Sequence, residues 1–206
     1  MGCDQGLREG LQRPVPKYAH RVHQGHQQSE GRKVNPPEEH RKAGARRLRA
    51  RVFTVSTSRY TAMKEGGKFT DESGDVAEEE LKEAGHDIAS RRLISDDAKM
   101  LRGAVSEFLS SKDDVLLFTG GTGVSSRDIT IETVRPFFEK ELDGFGEQFR
   151  RVSFDEVGAA AMMTRATLGV AKGKLILCLP GSPSAVRTAL REVAGELPHA
   201  VHIARS

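Results

Sequence analysis

A glycine-rich turn directly follows the segment that is predicted most strongly to be a strand. Residues 114–118 read Asp-Val-Leu-Leu-Phe, which has the continuous apolar character of a strand that is buried on both faces. The next ten residues, Thr119-Gly-Gly-Thr-Gly-Val-Ser-Ser-Arg-Asp128, place three glycines within four positions. A buried strand, a glycine-rich turn and a following helix are typical of a mainly parallel sheet with an anion site at its carboxyl edge.

The pattern around this turn alternates between short β-branched runs and helical periodicity, which is typical of βαβ units. Strands are predicted over 51–56, 87–94, 114–118, 167–171 and 174–179. Helices are predicted near 75–84, after residue 97, and near 130–139, 145–151, 155–166 and 183–194. The expected fold class is α/β, a single three-layer domain with a mainly parallel sheet flanked by helices.

The basic excess of the chain lies near its N-terminus. The formal net charge is +3, but residues 1–50 carry 11 Lys and Arg against 5 Asp and Glu, whereas residues 51–206 carry 21 against 24. Residues 1–33 show no periodicity and too little apolar surface to offset the entropy of ordering. We therefore expect a basic, disordered extension over residues 1–46 and a folded domain over residues 47–206. No nucleic-acid partner is expected, because the basic charge is confined to the extension.

The cysteine content and the hydropathy of the sequence indicate in which cellular compartment the protein is expected. Cys3 and Cys178 lie far apart without paired spacing, so neither a disulfide framework nor a thiolate zinc site is indicated. No run approaches the roughly 18 apolar residues of a membrane-spanning helix, and the N-terminus lacks the apolar middle region of a secretion signal. We expect a cytoplasmic protein that does not associate with a membrane.

The turn after residue 118 is a candidate phosphate-binding site. Glycine lets a phosphate approach the backbone N–H groups closely and tolerates positive φ. The sequence is neither a phosphate loop, since no lysine follows, nor a G-x-G-x-x-G motif. An ordinary strand-to-helix turn is the simpler alternative, but three glycines exceed what such a turn requires. The candidate residues are Thr119, Gly120, Gly121, Thr122, Gly123 and Ser125.

Two acidic residues fall at the same predicted edge of the sheet. Asp96 follows the strand over 87–94, and Asp128 lies at the exit of the glycine-rich turn. Carboxylates beside bound phosphates usually hold a divalent cation. Each residue is also a plausible helix N-cap, because Asp96 precedes a helical pattern and Asp128 lies two residues before Thr130. The residues alone leave both roles open.

Two further polar segments end strands at this edge. Pro180-Gly181-Ser182-Pro183 can form a second phosphate cradle, although a tight turn that starts a helix explains it equally well. The segment Thr54-Val-Ser-Thr-Ser-Arg59 offers the hydroxyls of Ser56 and Ser58. Alone, neither segment identifies a function.

Together, these motifs resemble the MoaB/MogA-type molybdopterin-binding family of molybdenum cofactor biosynthesis. Several ordered motifs in register are much more specific than a glycine-rich turn alone. The resemblance covers about residues 47–203, and the N-terminal extension has no counterpart in the family core. The motifs are Thr119-Gly-Gly-Thr-Gly, Arg127-Asp128-Ile-Thr130, Phe145-Gly-Glu147, Leu179-Pro-Gly-Ser-Pro183, Val55-Ser-Thr-Ser58 and Asp71-Glu-Ser-Gly74.

The resemblance implies an enzyme, a molybdopterin adenylyltransferase. In that reaction the terminal phosphate of molybdopterin attacks the α-phosphate of ATP, and pyrophosphate is released. The resemblance also implies a homotrimer or homohexamer and a downstream molybdate or tungstate insertion protein as a partner. The alternative is a non-catalytic carrier or scaffold that binds molybdopterin in the same pathway.

The two acidic positions that the family requires fall on Asp96 and Asp128. We expect both carboxylates to act through Mg²⁺, because joining two phosphates brings like charges together and calls for a cation and fixed N–H donors. The turn over residues 119–123 would then bind phosphate groups of molybdopterin or ATP. The remaining substrate-binding residues implied are Ser56, Ser58, Ser125, Arg127, Gly181 and Ser182.

Overall fold

Six strands form one sheet in the computed structural model, which describes residues 47–206; the predicted extension over 1–46 lies outside the described residues. The strands are β1 (Arg49–Val55), β2 (Asp87–Ile94), β3 (Val115–Thr119), β4 (Lys140–Glu141), β5 (Thr167–Ala171) and β6 (Lys174–Leu179). The α-helices are α1 (Thr57–Lys64), α2 (Glu72–Glu83), α3 (Ala98–Leu109), α4 (Thr130–Val134), α5 (Asp143–Val157), α6 (Pro183–Val193) and α7 (Leu197–Ala204). Short 3₁₀ helices cover Arg135–Phe137, Gly158–Met163 and Ala194–Glu196.

The strand order is β2-β1-β3-β6-β5-β4, which confirms the mainly parallel sheet. Strands β2, β1, β3 and β6 are parallel, while β5 pairs antiparallel with both β6 and β4. From β1 the chain first forms β2 on one side and then returns to form β3 on the other side. The carboxyl ends of β1 and β3 therefore flank a topological switch point, where open α/β sheets bind ligands.

Apolar side chains cover both faces of the sheet and make it the middle of three layers. On one face, Leu117 belongs to a buried cluster with Leu81 of α2 and Leu190 of α6. On the other face, Phe53 and Phe118 meet edge to face at 5.9 Å between ring centroids, beside Phe108 of α3. Every residue of β3 and β6 is buried, as the continuous apolar runs predict. These two strands fix the position of the turns that follow them.

The helices differ from the predictions in several places. Helix α1 was not predicted from the sequence. None of its residues is buried, so its sequence has no apolar face with helical periodicity. One helix, α5, replaces the two predicted near 145–151 and 155–166, and a 3₁₀ segment continues it. The helix predicted over 130–139 ends at Val134, since Pro136 follows in a 3₁₀ turn. Within residues 47–206, no helix is both long and apolar enough to span a membrane.

A charged cluster ties β1 to the segment that precedes β3. Asp113 accepts hydrogen bonds from Arg49 Nε at 2.9 Å and Arg51 Nε at 2.6 Å, and its side chain is only 6% exposed. Burial raises the pKa of Asp113, but the hydrogen bonds from Arg51 and Arg49 outweigh burial and lower the pKa below its ordinary value. The cluster fixes the amino ends of the central strands, opposite the edge that carries the glycine-rich turn.

Candidate active site

A cavity of about 640 Å³ lies at the carboxyl edge of the sheet, beside the switch point between β1 and β3. Its volume falls within the range of small-molecule sites, about 300–1,000 Å³. Twelve of the thirteen residues predicted from the sequence line it. They are Ser56, Ser58, Asp96, Thr119, Gly120, Gly121, Thr122, Gly123, Ser125, Arg127, Asp128 and Gly181.

The glycines of the turn are required by its backbone and by close neighbours. Gly120 has φ of 107° and Gly121 has φ of 62°, a region that side chains rarely adopt. A Cβ on Gly120 would overlap the carbonyl oxygen of Val55, and a Cβ on Gly121 would overlap Asp96 Oδ1. The turn therefore packs directly against the end of β1 and against the Asp96 carboxylate. This settles why three glycines occur here, where an ordinary turn needs one.

Buried Thr130, the first residue of α4, holds the first half of the turn. Thr130 Oγ1 donates to the Gly120 carbonyl at 3.0 Å, and Thr130 N donates to the Gly121 carbonyl at 2.9 Å. In a trans peptide the N–H points opposite to the carbonyl oxygen. The N–H groups of Gly121 and Thr122 therefore point away from Thr130, as an anion-binding turn requires.

Asp96 reaches across to the start of α1. Its Oδ2 accepts a hydrogen bond from Thr57 N at 3.1 Å and from Thr57 Oγ1 at 3.2 Å. The cap of α3 is instead Asp97, whose side chain accepts from Met100 N at 2.8 Å. The structure thus separates the two roles that the sequence left open, because Asp97 caps the helix while Asp96 lines the cavity.

Asp128 is likewise not a helix cap. Its Oδ2 accepts a hydrogen bond from Ser125 N at 3.0 Å, within the turn itself. The N-cap position of α4 is Ile129, which makes no side-chain cap bond. The carboxylate also packs against Gly123, where a Cβ would lie 2.8 Å from Asp128 Oδ2. Asp128 therefore stabilises the second half of the glycine-rich turn, residues 123–128, whereas Thr130 stabilises the first half, residues 120–121.

Asp96 and Asp128 are the two carboxylates lining this cavity that could hold a Mg²⁺ ion. In each of them Oδ2 is held by the protein, while no hydrogen bond from residues 47–206 reaches Oδ1. No group of three or more His, Cys, Asp or Glu side chains suited to a metal occurs among these residues. Mg²⁺ does not need such a cage, because it usually takes one or two carboxylates and completes its shell with phosphates and water.

The turn after β6 joins the glycine-rich turn of β3. Thr119 Oγ1 donates to the Pro180 carbonyl at 2.8 Å, and Gly120 N donates to the Leu179 carbonyl at 2.9 Å. Gly181 lines the cavity. Ser182, the thirteenth predicted residue, is not among the lining residues, and its side chain caps α6 by accepting from Ala185 N at 3.4 Å.

The structure adds residues to the site that sequence reasoning missed. Thr57 holds Asp96, and its place between Ser56 and Ser58 was the available signal. Arg59, whose guanidinium the sequence placed at this edge without assigning it a role, lines the cavity, and among the described residues its side chain makes one long ionic contact, 3.8 Å to Asp71. Arg165 also lines the cavity; it follows a 3₁₀ segment, and nothing in its sequence context marked it. Arg59, Arg127 and Arg165 thus line the same cavity as the two carboxylates.

Known proteins match most of this chain in sequence. Residues 51–199 match the family model described as "Probable molybdopterin binding domain". A protein of Methanocaldococcus jannaschii named "Probable molybdopterin adenylyltransferase" is 42% identical over 149 residues, which cover 72% of this chain and 88% of that protein. A "Molybdopterin adenylyltransferase" of Pyrococcus furiosus is 39% identical over 172 residues, which cover 82% of this chain and 98% of that protein.

A solved structure shows the same fold. The crystal structure of the "tungsten cofactor synthesizing protein MoaB from Pyrococcus furiosus" superposes with a TM-score of 0.69 at 37% sequence identity. The superposition covers 78% of this chain and 99% of that chain. The chain therefore belongs to the MoaB/MogA-type molybdopterin-binding family, which confirms the resemblance drawn from its motifs.

Proposed function

We propose that this protein transfers the adenylyl group of Mg-ATP to the terminal phosphate of molybdopterin and releases pyrophosphate. At the level of class, the chain is a molybdopterin adenylyltransferase of molybdenum cofactor biosynthesis, as its relatives at 42% and 39% identity are named. The finer chemistry is supported by one observation above all. The glycine-rich turn of β3 brings to one cavity the backbone N–H groups of Gly121 and Thr122, for which residues 47–206 supply no backbone acceptor, and two carboxylates whose Oδ1 atoms accept no hydrogen bond from those residues.

The reaction forms one bond and breaks one bond at phosphorus. An oxygen of the pterin phosphate attacks the α-phosphorus of ATP, and the bond between that phosphorus and the oxygen bridging to the β-phosphate breaks. Both partners are anions, so their approach is repulsive and catalysis is mainly positioning and charge stabilisation. The N–H groups of Gly121 and Thr122 supply fixed donors that need no reorganisation during the reaction.

Asp96 and Asp128 would hold the magnesium ion. Bound there, Mg²⁺ would neutralise charge on the phosphate oxygens. The bonds from Thr57 to Asp96 and from Ser125 to Asp128 keep the two carboxylates in place before substrate arrives. Arg59 and Arg127 add positive charge at the rim, and the hydroxyls of Ser56 and Ser58 add donors near the end of β1.

We further propose a homotrimer, or a homohexamer built from trimers. Large apolar side chains are exposed on α5 and on the 3₁₀ segment after it, with Phe154 60%, Val157 56% and Met162 83% exposed. Exposed apolar surface of this kind marks an association surface. Light scattering of the purified protein is expected to give a trimer or a hexamer, and Met162→Glu is expected to dissociate it. The product would pass to a molybdate or tungstate insertion protein.

The proposal is tested by incubating the protein with molybdopterin, Mg-ATP and inorganic pyrophosphatase, and identifying the pterin afterwards. Adenylyl-molybdopterin is the expected product. Recovery of bound but unchanged molybdopterin would instead mean a carrier or scaffold, and would contradict the proposal. Apart from the pyrophosphatase, the assay needs no further protein, because both substrates of the step are supplied.

A matched pair of variants tests the carboxylates. Asp96→Asn is expected to lower the turnover number by about 100-fold, because the amide binds Mg²⁺ poorly. Asp97→Asn is the control: Asn caps a helix as well as Asp does, and Asp97 does not line the cavity. Asp128→Asn should resemble Asp96→Asn, and unimpaired transfer by either would contradict the assignment.

A further inference from the structure

Arg165 joins the glycine-rich turn to the helix that follows it. Its Nη1 donates to the Gly123 carbonyl at 2.9 Å, and its Nη2 pairs with the Glu132 carboxylate of α4. The Arg165 side chain is 32% exposed and forms part of the cavity wall. One planar guanidinium therefore bridges two segments, the turn and α4, from the start of β5.

Gly123 connects the Arg165 hydrogen bond to the Asp128 carboxylate, because it contacts both residues. Its Cα packs against Asp128, since a Cβ at this position would lie 2.8 Å from Asp128 Oδ2. The same Oδ2 accepts from Ser125 N at 3.0 Å, and Asp128 N donates to the Ser125 carbonyl at 3.0 Å. The segment from Gly123 to Asp128 is thus a closed unit, and a shift of the Gly123 peptide moves the Asp128 carboxylate.

Thr130 cannot hold this second half of the turn. Its two hydrogen bonds go to the carbonyls of Gly120 and Gly121. The Gly123 carbonyl has Arg165 as its donor, and Arg127 contributes only a backbone contact to Ser125 Oγ at 3.3 Å. The position of Asp128 relative to the rest of the site therefore depends on a side chain that lies 37 positions away in the sequence.

We propose that Arg165 is a positioning residue for the adenylyl transfer: it fixes the Gly123 peptide and thereby places the Asp128 carboxylate, without itself binding a phosphate of the substrate. This inference rests on the proposed function and adds to it a residue that no motif of the sequence indicated. Two of the guanidinium nitrogens of Arg165 are held, Nη1 by the Gly123 carbonyl and Nη2 by the Glu132 carboxylate.

The pair between Arg165 and Glu132 is charged in the folded protein. Burial has the largest single effect on Glu132 and raises its pKa, but the hydrogen bonds from Arg165 and from the Glu132 backbone, together with the nearby charges of Arg165 and Arg135, lower the pKa below its ordinary value. Glu132 therefore anchors one edge of the guanidinium while the other edge holds the Gly123 carbonyl. A lysine offers a single ammonium group and cannot reproduce this fork.

Two variants of the full-length protein test the proposal. Arg165→Ala is expected to lower the turnover number for adenylyl transfer by about 100-fold, the cost of a misplacement of about 1 Å, with little change in KM for ATP or molybdopterin. Arg165→Lys is expected to recover part of the loss and not all of it. The matched control is Arg92→Ala, which removes another exposed Arg–Glu pair, that with Glu107, and neither of these residues lines the cavity.

Hydrogen exchange supplies a readout that does not depend on activity. Amides of residues 120–128 are expected to exchange faster in Arg165→Ala than in the wild type, while those of β3 remain unchanged. Unchanged exchange of the turn amides in Arg165→Ala would overturn the proposal. A raised KM with an unchanged turnover number would also overturn it, because that result would mean that Arg165 binds the substrate directly. A wild type without adenylyl transfer would defeat the proposed function, and the exchange measurement would still decide whether Arg165 fixes the turn.

Discussion

Gly181 packs so closely against Gly120 that a Cβ on Gly181 would lie 3.2 Å from the Gly120 Cα. The turns after β3 and β6 therefore meet backbone to backbone. The hydrogen bond from Thr119 Oγ1 to the Pro180 carbonyl holds the same contact at 2.8 Å. As a result, two turns that lie 60 residues apart in sequence form one continuous floor for the cavity.

Replacing Gly121 with alanine is expected to disable the site and to destabilise the fold. The positive φ of 62° would cost an alanine about 1–2 kcal/mol, and its Cβ would overlap Asp96 Oδ1 and Thr130 Oγ1. The free energy of unfolding, measured by urea denaturation, should fall by at least that amount. Adenylyl transfer should fall with it, because the Asp96 carboxylate must move.

Gly103→Ala provides the control for this substitution. Gly103 lies within α3, and a Cβ there would meet nothing within 4 Å. Alanine in a helix is more stable than glycine by about 0.5–1 kcal/mol. The control should therefore be more stable than the wild type and fully active, and a similar loss in both variants would refute the steric account of Gly121.

Asp113→Asn is expected to destabilise the protein in a manner that depends on pH. At neutral pH the variant leaves Arg51, whose side chain is 12% exposed, without its buried partner, at a cost of about 3 kcal/mol. The pKa of Asp113 lies below its ordinary value of 3.8 in the folded protein. Its contribution to stability is therefore fully present above pH 3.8 and is lost as the pH falls through the lowered pKa.

The measurement for Asp113 is urea denaturation of the wild type and the variant at neutral pH and near pH 3. The difference in unfolding free energy should be large at neutral pH and should narrow in acid. Asp87→Asn is the control, since Asp87 is 52% exposed and pairs with Arg47 at 3.4 Å, a surface contact worth about 0–1 kcal/mol. A constant difference at both pH values would contradict the role assigned to Asp113.

The thiol of Cys178 is expected to be inert in the native protein. Cys178 is fully buried in β6, and burial raises the pKa of its thiol far above the ordinary value, so little thiolate forms. In a Cys3→Ser background, which removes the other cysteine, a disulfide reagent should not react until denaturant is added. Rapid stoichiometric labelling of the folded protein would show that β6 opens in solution.

The centre of the sheet could be predicted from the sequence because β3 is apolar almost throughout and β6 is apolar after Lys174, whereas β4 was not predicted because it consists of two charged residues, Lys140 and Glu141. The runs that form β3 and β6 are buried on both faces, so their hydropathy alone marks them. Helices α1 and α7 were not predicted, for different reasons. Helix α1 buries no residue, so its sequence shows no apolar periodicity. Helix α7 is joined to α6 by the 3₁₀ segment Ala194–Glu196, so the sequence gives no clear signal for where one helix ends and the next begins.

Part of the candidate site could likewise be predicted from the sequence, and part could not. The placement of the glycine-rich turn, Asp96 and Asp128 at one cavity could be predicted because it depends on their positions after parallel strands. Whether Asp96 or Asp97 caps α3 could not be decided from adjacent residues of the same type. Arg165 could not be found at all, since its function depends on a contact with Gly123 that only the folded chain creates.

We propose that Asp96 and Asp128 support a magnesium-dependent transfer of the adenylyl group at this turn. The decisive experiment follows ATP labelled at the α-phosphate or at the γ-phosphate, with molybdopterin, in the presence and absence of Mg²⁺. With Mg²⁺, the α-label is expected in the pterin product and the γ-label in pyrophosphate, and neither label is expected to move after chelation. Transfer of the γ-label to the pterin, or equal transfer of the α-label without a divalent cation, would contradict this proposal.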